Sequence, residues 1–130
     1  METQEYWDLL INRSASRFFL LAALADGPKH GYHLAKAVEA ATGACCSPSA
    51  AMVYPALKEL MERGYVVCQV EHNGARARKV CTLTAEGRHV YETAARSWRK
   101  ILPYLQQAID DALPSDEGLI GEATRVMQRR

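Results

Sequence analysis

No stretch of this chain is long and apolar enough to cross a bilayer. The longest apolar run is Phe18 to Ala25, far short of the roughly 20 residues that a spanning helix needs. The beginning, Met-Glu-Thr-Gln-Glu, has neither a basic n-region nor an apolar h-region. No secretory signal is visible, and a cytoplasmic location is expected. An excess of one charge is lacking too: 16 Lys and Arg stand against 15 Asp and Glu, a net charge of +1. Nucleic-acid binding therefore has to rest on a local patch, because there is no global basic field. Cysteine is sparse, 4 in 130 residues. Without a secretory signal, that suggests reduced thiols rather than a disulfide framework. Internal repeats and low-complexity tracts are absent. No Ser/His/Asp constellation, phosphate-cradling glycine loop or pair of acids at useful spacing is present, so neither an enzyme nor a bound cofactor is expected.

What remains is 48% hydrophobic, too apolar for wholesale disorder and long enough for one modest core. The organising stretch is Ser47 to Gly64. Ser47 or Ser49 suits an N-cap, Pro48 a first helical position, and Gly64 a left-handed stop. Val53, Leu57, Leu60 and Met61 fall three and four apart and predict one buried face. Tyr54 and Lys58, one turn apart, point the other way, where a hydroxyl and a cation suit a phosphate or a base edge. A solvated charged face is the alternative.

Before it, Tyr6, Trp7, Leu10 and Ile11 predict a short amphipathic helix, and Ser14 a start for a second one, Ala15 to Ala25. Asp26-Gly27-Pro28 ends it. His30-Gly31-Tyr32-His33 opens a further helix running to about Thr42. Its two histidines are one turn apart, which suits polar caps better than a metal pair. Ala44-Cys45-Cys46 is the turn into the Ser47–Gly64 helix, so the two helices read as a helix-turn-helix.

After Gly64 the pattern becomes β-branched. Tyr65 to Glu71 and Arg78 to Leu83 read as two strands around an Asn73-Gly74 turn. With a loop from Asn73 to Arg76, Cys68 faces Cys81 and Val66 faces Leu83 on the core side. The tip carries Arg76, Arg78 and Lys79. Thr84 then caps a long helix to about Leu113. Its seam, Tyr91, Ala95, Trp98, Leu102, Leu105, Ile109 and Ala112, steps by four and three and calls for another helix. Pro103 is expected to kink it. After Pro114, a weak apolar face of Leu119, Ala123, Val126 and Met127 either adds to that contact or frays.

The fold class expected is mainly α with a small β-hairpin wing (α+β): a winged helix-turn-helix with a long C-terminal dimerisation helix. Residues 1–84 form the DNA-binding part and 85–130 the helical dimerisation part. Four stretches then resemble the PadR family of bacterial transcriptional regulators: Leu24 to Tyr32, Val53 to Gly64, Asn73 to Lys79, and Leu83 to Arg88. The resemblance implies a dimeric, repressor-type regulator of a palindromic double-stranded operator. It places Ser49, Met52, Tyr54 and Lys58 at the groove, Arg76, Arg78 and Lys79 on phosphate or the minor groove, and His30 and Tyr32 facing the backbone. The family usually has Gly at the position of Ala51 and an aromatic at that of Cys81.

Two routes of control are open. Trp98, with Trp7 and Tyr91, suits a flat aromatic effector, although an aromatic stripe of this kind is more often seam packing. The vicinal pair Cys45 and Cys46 suits a thiophilic metal or metalloid ion, and Cys68 with Cys81 suits oxidation, although inert thiols are the commoner case. A winged-helix module that binds protein is the rival class.

Overall fold

The computed structural model describes residues 1–41, 50–74 and 76–114. The element order is α1 (Gln4–Ala25), β1 (Lys29–His30), α2 (Gly31–Ala41), α3 (Ala50–Glu62), β2 (Val66–Asn73), β3 (Arg76–Leu83) and α4 (Ala85–Ala112). The expected tail after Pro114 lies outside the described residues.

The N-terminal segment is one helix, not two. Thr3 caps it, its hydroxyl accepting from Tyr6 N at 3.2 Å. No Gly or Pro interrupts residues 4–25. Ser14 Oγ donates back to Ile11 O at 2.9 Å, so it continues the helix instead of starting one. Gly27, at φ 144°, then turns the chain. The second half of α1 buries Leu20, Leu21 and Leu24, whereas Tyr6, Trp7, Leu10 and Ile11 in its first half stay exposed.

Leu34 and Val38 of α2 and Val53, Ala56, Leu57 and Leu60 of α3 pack on that second half. The α3 positions are three or four apart, as one helical face demands. Gly64 ends the helix at φ 78°. Its N–H donates to Met61 O and that of Tyr65 to Leu60 O, the pair of bonds that satisfies a helix C-terminus. The expected start at Ser47 to Ser49 lies outside the described residues.

The strands form one antiparallel sheet in the order β1-β3-β2. The hairpin register is the expected one, with Cys68 opposite Cys81 and Val66 opposite Leu83. Pairing runs as far as Asn73 and Arg76, so the tip is shorter than expected. Two features depart from the sequence reading. Lys29 and His30 pair with Cys81 and Val80, which makes His30 a strand residue. Cys68 and Cys81 are joined by a disulfide, where reduced thiols were expected. The register that aims both side chains at the core brings their sulfurs together.

Thr84 caps α4. Its hydroxyl accepts from Gly87 N at 3.0 Å and donates to Gly64 O at 2.8 Å, which ties the new helix to the end of α3. The helix continues through Pro103 to Ala112. The chain divides after Ala95 into two units. The first holds everything up to the opening turns of α4, and the second holds the rest of that helix.

Candidate nucleic-acid interface

Burying one face of α3 decides what the other face can do. Val53, Ala56, Leu57 and Leu60 are inside, which turns Tyr54 and Lys58 outward. Tyr54 is 46% exposed. Among the described residues Lys58 pairs with the likewise exposed Glu62, at 4.0 Å. An ion pair this open is worth little and yields readily to a stronger anion. Glu59, on the flank, is held by Arg17 of α1, with Arg63 at 3.6 Å. This ion pair fastens α3 to α1 and leaves Lys58 outside the network.

The wing supplies the second surface. Arg78 and Lys79 are adjacent on β3 and exposed, so they leave on opposite faces of the strand. Arg78 lies opposite Glu71 and Lys79 opposite Val70. Pairing of β1 with β3 brings the start of α2 beside them. His30, Gly31, His33, Ala77, Arg78 and Lys79 line one cleft. The His30 and His33 rings meet edge to face, 5.8 Å apart. His30 Nδ1 is buried without a hydrogen-bond partner among the described residues. Residues carrying two imidazoles, a guanidinium and an ammonium thus border one cleft, with Arg78 and Lys79 on opposite faces of β3, and cationic donors around it suit an anionic oxygen. The sequence reading assigned these residues to two separate elements. The two-residue strand that unites them is too short to show a period.

Ser49, Cys45 and Cys46 lie outside the described residues, as do the side chains of Tyr32, Met52 and Arg76. The three aromatic residues singled out for an effector have different surroundings. Trp7 Nε1 donates to Met1 O at 2.9 Å, and its ring stands edge-on to Tyr6. Tyr91 stacks on Phe18, 5.6 Å between centroids. Trp98 belongs to the second unit and is half-buried. No helix among the described residues is long and apolar enough to cross a membrane.

A three-helix body, a recognition-type helix with a polar outer face and a basic hairpin define a winged helix-turn-helix protein. The profile of the transcriptional regulator PadR-like family matches residues 20–93, and the chain belongs to that family, whose members are DNA-binding regulators and not enzymes. A transcriptional regulator from Clostridium thermocellum shares the fold at 20% identity, with TM-score 0.66, 75% of this chain and 95% of that one covered. A PadR family regulator from Clostridium difficile does so at 22%, with TM-score 0.59 and coverage of 73% and 98%. PadR of Bacillus subtilis, in complex with operator DNA, does so at 24%, with TM-score 0.54 and coverage of 61% and 45%. An uncharacterized 37.1 kDa protein in transposon Tn4556 of Streptomyces fradiae is 37% identical over 86 residues. Those residues are 66% of this chain, but they are only 24% of that protein's length.

Proposed function

We propose that this chain is a dimeric repressor that binds a palindromic operator through α3 and the wing and is released by an effector. The observation that carries the reading is the outward face of α3, with Tyr54 and Lys58 held open by the buried face behind them. Tyr54 and Lys58, with Ser49 and Met52, address base edges. Arg78 and Lys79, with Arg76, neutralise phosphates. His30, at the cleft beside the wing, faces the DNA backbone, and we assign Tyr32 the same role.

Dimerisation rests on α4. Leu102, Leu105 and Ile109 of its seam are 44% exposed or more, and a face of that kind on a helix calls for a partner helix. A twofold pair presents two reading heads about one turn of DNA apart. The complex of the Bacillus subtilis relative with operator DNA supports the use of this scaffold on an operator. The protein works where its DNA is, in the cytoplasm. Trp98, midway along the seam, is the residue we assign to contact with a flat aromatic effector.

Fluorescence anisotropy with a duplex from upstream of the coding region tests the reading. Binding should fall steeply with salt, since each neutralised phosphate releases counterions. Lys58→Ala and Arg78→Ala should each weaken binding about tenfold while thermal unfolding is unchanged. Unaltered affinity in both variants would refute the assignment.

A further inference from the structure

We propose that the disulfide between Cys68 and Cys81 is a reversible thiol–disulfide site that sets the grip of the wing on DNA. The inference rests on the DNA-binding reading in one respect. A protein that works beside the chromosome sits in a reducing compartment, where disulfides are characteristically transient or sensing rather than structural.

Three features of the site carry it. The hairpin does not need the bond for its pairing, because β2 and β3 are already in register from Val66–Leu83 to Asn73–Arg76. The bond joins elements that must act together. Cys68 Sγ lies 3.7 Å from Met61 Sδ in the last turn of α3, and Arg78 and Lys79 stand three and two residues from Cys81. The two sulfurs also differ in access: Cys81 is fully buried, opposite Lys29 on one side and Cys68 on the other, whereas Cys68 is only partly covered.

The chemistry is thiol–disulfide exchange with a low-molecular-weight disulfide. The Cys68 thiol loses its proton and attacks that disulfide, giving a mixed disulfide and releasing one small thiol. The Cys81 thiol loses its proton and attacks Cys68 Sγ, and the second small thiol leaves. Two electrons pass from the protein to the oxidant, and reduction reverses both steps. After reduction the two sulfurs have to separate to van der Waals contact. Cys81 is locked in the core, so the partly covered Cys68 side chain turns away from it, and Met61 is its neighbour. The reduced wing keeps its strand pairing but has lost its cross-link, so it gives up more freedom when it meets DNA, which lowers affinity.

The test uses the full chain equilibrated in buffers of reduced and oxidised glutathione. Alkylation and peptide mapping follow the bond, and anisotropy with the upstream duplex follows binding. The Cys68–Cys81 peptide pair should open and close within the range of these buffers, with the reduced protein binding about fivefold more weakly. Cys68→Ser, at the partly covered position, should bind like the reduced protein in every buffer, and a Cys45→Ser, Cys46→Ser variant should keep the full response. A bond that never opens, equal affinity of the two forms, or tighter binding by the reduced form would overturn the switch and leave DNA binding standing. Absence of binding in either form would sink both.

Discussion

Gly87 is the residue at which the smallest change should do most harm. It is buried in the first turn of α4 against the backbone of Tyr65. A Cβ there would run into Tyr65 O, with Leu83 Cδ1 at 2.8 Å on another side. Backbone cannot yield as a side-chain tip does, so Gly87→Ala should destabilise the protein by about 2–4 kcal/mol. Urea unfolding at constant m-value measures this, and a loss under 0.5 kcal/mol would show that the helix shifts freely. Gly64, with φ 78°, is open around its Cα, so substitution there meets backbone strain and no clash. Neither environment follows from composition. A glycine near a helix end looks the same in sequence whether it is needed for its φ or for close approach.

At the scale of elements, two hydroxyls that look alike in sequence have opposite roles. Thr84 caps α4 and also holds the end of α3 through Gly64 O. Ser14 sits inside α1 and only bonds back to Ile11 O. Thr84→Ala should therefore cost about 1–2 kcal/mol, and Thr84→Ser much less. Ser14→Ala should stay within about 0.5 kcal/mol. Thermal unfolding of the three variants decides it, and a large loss for Ser14→Ala would restore a helix start at that position. The wing's register follows from alternation, because a slip of β3 by one residue would turn Cys81 out of the core and bring Thr82 in. β1 has no such signature, since two residues carry no period, and it forms only because β3 offers it an edge.

For the whole molecule, the question is what covers the apolar face of α4. Leu102→Glu combined with Leu105→Glu should leave the first unit folded, because these positions lie beyond Ala95. It should abolish dimerisation. Sedimentation velocity should then report a monomer, circular dichroism an unchanged helix content, and anisotropy a loss of operator binding of at least about tenfold. A double variant that sediments as a dimer would move the interface elsewhere, with the exposed first half of α1 the next surface to examine.

Local pattern alone determined α2, α4, the end of α3 at Gly64, the hairpin and its register, the cap at Thr84 and the outward face of α3, whereas it broke α1 in two by reading Ser14 as a helix start. Each depends on residues a few positions apart, and periodicity is a local property. The family resemblance also came from short motifs in order. Only the tertiary structure decided that Lys29 and His30 join the sheet and that His30 and His33 share a cleft with Arg78 and Lys79. It also decided that Cys68 and Cys81 are bonded and that Gly87 touches Tyr65. These contacts join residues far apart in the chain, and packing against a third element, not local preference, determines whether they form.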